Sequence, residues 1–169
     1  CSGRVERFVS MADGCLLLVD SIEGPMPQTK FVLRLAMEMG LKPIVVINKT
    51  DRRNSRIAEV LKLTEDLFLE LAIIADQLDF PVLYASGRSG WADAELDGPR
   101  KDLSAMMELV IKHVPAPSQI AQINEPFRML ATTLGGDAFI GRLLTGRVES
   151  GSVKAGDNIK AMSQDGSLI

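Results

Sequence analysis

Four consecutive residues, Asn48-Lys49-Thr50-Asp51, set an amide, a long cation and a carboxylate directly after the apolar run Pro43-Ile44-Val45-Val46-Ile47. An ionised carboxylate only accepts hydrogen bonds, and it can take two adjacent donors at once. Guanine presents such a pair, its ring N1–H beside its exocyclic amine, and adenine does not. Asp51 is therefore a candidate guanine reader. The methylene stem of Lys49 can lie against the flat base with its ammonium near the ribose. Asn48, donor and acceptor together, suits holding this loop against a neighbouring one and reaching the base edge. A second loop follows one strand-helix-strand unit later, in Tyr84-Ala85-Ser86-Gly87-Arg88. There the Gly87 N–H can donate to guanine O6, where adenine carries an amine that would oppose a donor. Each motif has a plainer reading beside this one. Asn48 to Asp51 also fits a solvated turn closed by an Asx hydrogen bond, and Ser86-Gly87 by itself reads more simply as an ordinary turn.

What favours chemistry is the position of both loops at strand ends, where open α/β sheets bind ligands. Cys15 to Val19, Pro43 to Ile47 and Phe80 to Tyr84 are short runs, apolar throughout, of the kind buried on both faces of a parallel sheet. They predict three central strands. Thr29 to Met39 places Phe31, Val32, Leu35, Ala36 and Met39 on one helical face, and Gly40 stops that helix. A second helix is expected over Ile57 to Leu71 and a third from Lys101 to His113, before Pro115. This order predicts an α/β, doubly wound layer with right-handed crossovers. Composition shifts at Pro115-Ala116-Pro117-Ser118, which reads as a linker. Beyond it, Phe127 to Thr133, Ala138 to Val148 and Asn158 to Met162 are strand-like, with turns expected at Gly135-Gly136-Asp137, Ser150-Gly151-Ser152 and Ala155-Gly156-Asp157. They suggest an incomplete small β-barrel, since too few strands follow Phe127 to close one.

The chain of 169 residues is 46% apolar, enough for one ordinary core or two small ones. Lys and Arg against Asp and Glu count 14 and 17 up to Val114, and 5 and 5 from Pro115 onward. Neither part is a basic domain, so charge alone predicts no nucleic-acid binding. Cys1 and Cys15 are the two cysteines, and Cys15 within an apolar run behaves as a small hydrophobe, which fits a reducing cytoplasm. The longest apolar run falls short of the roughly 18 to 20 residues of a membrane span. No initiator Met opens the sequence, and Ser167-Leu168-Ile169 stops on entering a strand, so an internal fragment of a longer protein is expected.

Several stretches together resemble the translational GTPases: Val5-Glu6-Arg7, Leu18-Val19-Asp20, Glu23 to Thr29, Asn48 to Asp51 and Ser86-Gly87-Arg88. Within that superfamily, Gly24 to Thr29, Gln77 to Val82 and Tyr84 to Ala92 are most similar to the BipA/TypA ribosome-associated GTPases. Gly146 to Asp157 resembles the hairpin of the β-barrel domain that follows the GTPase domain in these factors. The resemblance covers nearly the whole chain. It implies a partial P-loop GTPase-type domain over residues 1–114, a linker over 115–126 and the start of barrel domain 2 over 127–169. It further implies GTP and GDP as ligands, Mg2+ held by residues outside these, the ribosome as partner, no membrane, and a cytoplasmic place. Asn48, Lys49 and Asp51 become the base-specificity motif, with Ser86 and Gly87 as the second base-contacting loop. One departure is that Gly87 stands where the family usually has Ala, which keeps the backbone donor but frees the loop.

The 169 residues contain no G-x-x-x-x-G-K-[ST] loop to cradle phosphates and no Asp-x-x-Gly-His segment to position water. No catalytic residue is expected among them. Hydrolysis is expected of the intact protein and not of this chain alone. His113, at a helix end beside Val114-Pro115, is read as settling terminal carbonyls. Asp20 is read as ending its strand on the phosphate side of the cleft, with no catalytic role. Met37, Met39, Met106 and Met107 are read as core filler. Arg52, Arg53 and Arg56 form either a solvated helix start or a contact to ribosomal RNA phosphates, and Trp91 is either a contact residue or a packing residue at the loop's lip. Two other classes remain beside the GTPase: a binding scaffold without turnover, and the same region of another translation factor, of the elongation or LepA-like kind.

Overall fold

The computed structural model describes residues 2–117 and 122–168. It divides into two compact units, Cys1–Ala116 and Pro117–Ile169. Part of the linker expected over 115–126, residues 118–121, lies outside the described residues, as do Cys1 and Ile169.

The first unit runs α1 (Ser2–Val9), β1 (Cys15–Asp20), α2 (Pro27–Glu38), β2 (Pro43–Asn48), α3 (Ile57–Leu71), a short 3-10 turn (Ala75–Leu78), β3 (Val82–Ser86), β4 (Trp91–Asp93) and α4 (Ser104–His113). Strands β1, β2 and β3 are parallel neighbours in that order, and β4 returns antiparallel against β3. The strand β2 explains the layering. Its Val45 and Ile47 enter one core with Leu17 and Val19 of β1, Leu33 and Met37 of α2, and Val60, Leu67 and Phe68 of α3. Its Ile44 and Val46 enter a second core with Leu83, Ala85 and Ala92, against which Met106, Leu109 and Val110 of α4 pack. Helices thus cover both faces, as the α/β reading expects.

Three expectations are corrected. β1 is not buried on both faces: Leu16 is 39% and Leu18 59% exposed. They align with Ile44 and Val46 on the α4 side of the sheet, and α4 packs over β2 to β4 without covering them. In α2 the buried positions are Leu33, Leu35, Ala36 and Met37, while Phe31 and Met39 are exposed. Leu33 and Met37, four positions apart, enter the core with β1, β2 and α3, and this face excludes Phe31 and Met39. Met37 and Met106 are packed, whereas Met39 and Met107 are not.

One buried polar side chain inside the unit is satisfied at both its amide atoms. Gln77, almost wholly buried, accepts from Ile73 N–H at 2.9 Å and donates to Met37 O at 3.0 Å. It ties the 3-10 turn to the end of α2.

In the second unit β5 (Arg128–Asp137) and β6 (Gly141–Ser150) form one antiparallel hairpin. The turn lies at 138–140, not at Gly135-Gly136-Asp137, and Gly135 and Gly136 pair within the ladder. Asp137 Oδ1 accepts from Phe139 and Ile140 N–H, each at 2.8 Å, and Gly141 supplies the positive φ of 92° that re-enters the strand. Asn158 to Met162 forms no strand; Met162 makes one isolated bridge to Leu168. A strand needs a partner for its backbone groups, and in this segment only Met162 bridges to one among the described residues.

Candidate functional site

Parallel pairing brings the C-terminal ends of β1, β2 and β3 to one edge of the sheet, and the polar residues collect there. β1 ends in Asp20 opposite Asn48. The chain then turns tightly: Asp20 Oδ1 accepts from Ile22 N–H at 2.8 Å, Gly24 N–H donates to Asp20 O at 2.8 Å, and Gly24 takes a φ of 77°. Between them Ser21 is fully buried.

The strand β2 leaves the sheet at Asn48, whose Oδ1 accepts from Lys49 N–H at 2.8 Å and from Gly87 N–H at 2.9 Å. One amide oxygen therefore joins the two loops expected to meet. Thr50 strengthens the seam, since its N–H and its hydroxyl both donate to Ala85 O, at 3.1 and 3.0 Å. Lys49 is held in a left-handed backbone, φ 64°, a conformation that costs a residue with a Cβ about 1–2 kcal/mol. Its carbonyl accepts from the Ser21 hydroxyl at 2.9 Å, and its ammonium pairs with Asp20 Oδ2 at 2.5 Å. Asp51 is exposed, and its carboxylate has no hydrogen-bond partner among the described residues, leaving both oxygens open.

The second loop is hydrogen-bonded to itself on its inner side. Ser86 is buried, its carbonyl accepts from Gly90 N–H at 2.9 Å, and its hydroxyl accepts from Ser89 N–H at 3.3 Å. Gly90, φ 75°, turns the chain into β4, where Trp91 stands opposite Ser86. Trp91 is 5% exposed, with the Arg100 guanidinium 5.0 Å above its ring. Between the two roles open to it, Trp91 is the packing residue. Gly87 is exposed, but its N–H points to Asn48 Oδ1, so the donor expected to face guanine O6 is engaged by a protein acceptor.

Sequence reasoning missed what grips these loops. Arg56 is no free solvated cation: its Nε and Nη2 donate to Ile22 O at 2.9 and 2.7 Å, its N–H donates to Ser21 O at 2.7 Å, and Nη1 pairs with Glu59. Arg52 and Arg53 are exposed. Asp20 was legible as a strand-end acid, but its partner Lys49 was not, because nothing local signals a contact across 29 positions. Burial opposes ionisation of Asp20, yet the hydrogen bond from Lys49, those from the Ile22 and Glu23 N–H groups and the Lys49 charge together hold its carboxyl below the usual aspartate value. Burial pushes the Cys15 thiol up, in keeping with an inert apolar residue.

His113 ends α4 beside Lys42, Phe80 and Pro81, residues that precede β2 and β3, and so lies at the sheet edge opposite Asn48 and Ser86. Its Nε2 is buried without a hydrogen-bond partner, so it does not settle carbonyls through that atom. Among the described residues no group of three or more His, Cys, Asp or Glu could hold a metal ion. The described residues thus present no such cluster for the Mg2+ that the resemblance implies. No helix among the described residues is long and apolar enough to cross a membrane.

Known proteins resemble the chain in sequence and in fold. The chain is 43% identical over 98% of its length to the large ribosomal subunit assembly factor BipA of Synechocystis sp., covering 28% of that protein. It is 43% identical over 97% of its length to the BipA of Bacillus subtilis, covering 26%. It therefore spans about a quarter of the curated relatives it matches. In fold it matches the translation elongation factor SelB of Methanococcus maripaludis in complex with the GTP analogue GppNHp, with a TM-score of 0.64 and 19% identity over 92% of this chain and 32% of that one. The sequence profile described as the Elongation factor Tu GTP binding domain matches residues 2–116, and the chain belongs to that family, with BipA proteins among its similar relatives.

Proposed function

We propose that this chain carries the guanine-reading half of a ribosome-associated translational GTPase of the BipA type. In this reading residues 1–114 are the C-terminal part of the GTP-binding domain, 115–126 a linker and 127–169 the start of a β-barrel. Asp51 accepts from guanine N1–H and the exocyclic amine, the Lys49 stem covers the base, and Asn48 braces the loop. Ser86 fixes the second loop, and the Gly87 N–H, shared between Asn48 Oδ1 and guanine O6, excludes adenine. GTP cleavage with Mg2+ belongs to the whole protein, whose phosphate-holding parts these 169 residues do not contain. The relatives' description as large ribosomal subunit assembly factors supports the large subunit as partner and a cytoplasmic setting.

One observation carries the reading: two loops stitched together by Asn48 and Thr50 at the C-terminal sheet edge, beside an exposed carboxylate with no hydrogen-bond partner among the described residues. The test is Asp51→Asn in the full-length protein. An amide offers one acceptor and sets an NH2 against a guanine donor, so GDP affinity should fall by about 2–4 kcal/mol, or about 30- to 1,000-fold. Xanthine carries a carbonyl in place of the amine, so XDP should recover much of the loss. Equal weakening of both nucleotides, or none, removes Asp51 from the base site.

A further inference from the structure

The end of β1 lies outside the base-reading motifs, yet it supplies two of the contacts that fix the motif's lysine. Ser21, buried between the strands, donates its N–H to Asn48 O at 2.9 Å and its hydroxyl to Lys49 O at 2.9 Å. Asp20 takes the Lys49 ammonium on Oδ2 at 2.5 Å, while its Oδ1 is anchored by the Ile22 and Glu23 N–H groups at 2.8 and 3.3 Å. The two carboxylate oxygens thus have separate tasks, one closing a turn and one gripping a side chain. Arg56 locks that turn from the other side through Ile22 O and Ser21 O.

A lysine has four rotatable side-chain bonds, and ordering it on ligand arrival weakens binding. A left-handed backbone at a residue with a Cβ persists only when its surroundings impose it. Here contacts within the protein fix both the backbone and the far end of Lys49, and Asp20 and Ser21 at the end of β1 contribute to them. The side chains remain half open to solvent at Lys49 and about one-fifth at Asp20, so a ligand can still reach the stem between its two anchored ends.

We infer that Asp20 and Ser21 are positioning residues for nucleotide binding, and that Asp20 pre-orders the Lys49 side chain as a platform for the base. This rests on the guanine-site reading above. The Asp20 carboxylate acts through Lys49, so its contribution should disappear when Lys49 has no charge to offer.

The experiment measures the release rate of a fluorescent GDP analogue from the full-length protein in a double-mutant cycle. Asp20→Asn keeps an oxygen for the Ile22 and Glu23 N–H groups, so the turn persists while the ion pair is lost. Release should accelerate about 3- to 10-fold, the scale of a partly exposed, charge-assisted contact. Asp20→Glu, which keeps the charge, should recover at least half of that change. In a Lys49→Met background, Asp20→Asn should change release by less than about twofold. Lys62→Gln, which removes an exposed pair with Asp66 on α3, should leave release as in wild type. An unchanged rate in Asp20→Asn, or the same acceleration with and without the Lys49 charge, overturns the inference. Asp51→Asn is run beside it with GDP and XDP. If Asp51→Asn shifts base preference while Asp20→Asn does nothing, the platform role fails and the guanine site stands. If Asp51→Asn has no effect, the guanine site itself fails, and the platform role with it.

Discussion

Removing the Asn48 carboxamide tests the join between the two loops. In Asn48→Ala, the Lys49 N–H, 2.8 Å from Oδ1, and the Gly87 N–H, 2.9 Å from it, both lose their acceptor. A hydrogen bond contributes about 0.5–1.5 kcal/mol net. Lys49 and Gly87 are exposed, so water reaches both donors and each loss sits in the lower part of that range. Together they amount to about 1–2 kcal/mol. The strain of Lys49 at φ 64° is then opposed by fewer contacts, and the loop relaxes away from it. Urea unfolding should show a midpoint lower by roughly 0.5–1 M for a domain whose m-value is about 2 kcal/mol/M. Amide exchange at Gly87 should accelerate by about 5- to 30-fold if local opening sets it. Asn48→Asp keeps the acceptor but faces Asp20 across the strands, so it should recover the Gly87 protection and only part of the global stability. Unchanged exchange at Gly87 in Asn48→Ala would refute the bridge, whatever happens to the melting curve.

Gly87→Ala should stabilise the chain by about 0.4–1 kcal/mol: a Cβ there would lie 3.5 and 3.6 Å from the Asn48 carboxamide, and no positive φ opposes it. A lower melting temperature by calorimetry would show the loop backbone to be wrong. Phe68→Ala should cost about 3–5 kcal/mol, because Phe68 is fully buried with its ring centroid 3.8 Å from that of Phe80; a loss under about 1 kcal/mol in urea would contradict the packing. The Asp20 carboxyl should titrate below the usual aspartate value by carbon NMR, and Lys49→Gln should move its midpoint upward. Its contribution to stability is then fully present above the unfolded value and lost as pH falls through the lowered folded one; a midpoint at or above the usual aspartate value would refute the pair.

The parts of the fold legible in the sequence are those fixed by local pattern. Ile57 to Leu71 was readable as α3 to the residue, because its apolar positions repeat at helical spacing without a proline or glycine to interrupt them. The run Pro43 to Ile47 announced a strand buried on both faces, and its alternate residues do enter two cores. Cys15 to Val19 looks the same in sequence, yet burial of its second face depends on what lies beside it. The short strand β4 escaped notice since three residues carry no period, and Trp91 there owes its burial to pairing with Ser86 and to Arg100. The hairpin turn was misplaced because Gly135-Gly136 is the stronger local turn signal, whereas the Asp137 side chain and Gly141 make the actual one. Of the candidate site, Asn48, Lys49, Asp51, Ser86 and Gly87 are proposed from residue type and strand-end position, and the structure brings their two loops together. The grip of Asp20, Ser21 and Arg56 on them was not legible, being made between segments far apart in sequence.

That division has a physical origin in the parallel sheet. Its cores fix where each strand ends, through residues that sequence pattern identifies well. They do not fix how the loops beyond those ends stand relative to one another. Here that is done by side chains that bond a neighbouring loop: the Ser21 hydroxyl to Lys49 O, the Thr50 hydroxyl to Ala85 O, Asn48 Oδ1 to Gly87 N–H and Arg56 to Ile22 O. Each such bond contributes little to global stability, of order 1 kcal/mol, but each removes a freedom of the site. Substitutions at these four positions should therefore change ligand binding by more than their effect on unfolding accounts for, whereas core substitutions such as Phe68→Ala should lower both together. Plotting the change in GDP release against the change in unfolding free energy for the two groups separates them: if all fall on one line, the loops are positioned by the core alone and the strand-end bonds are incidental.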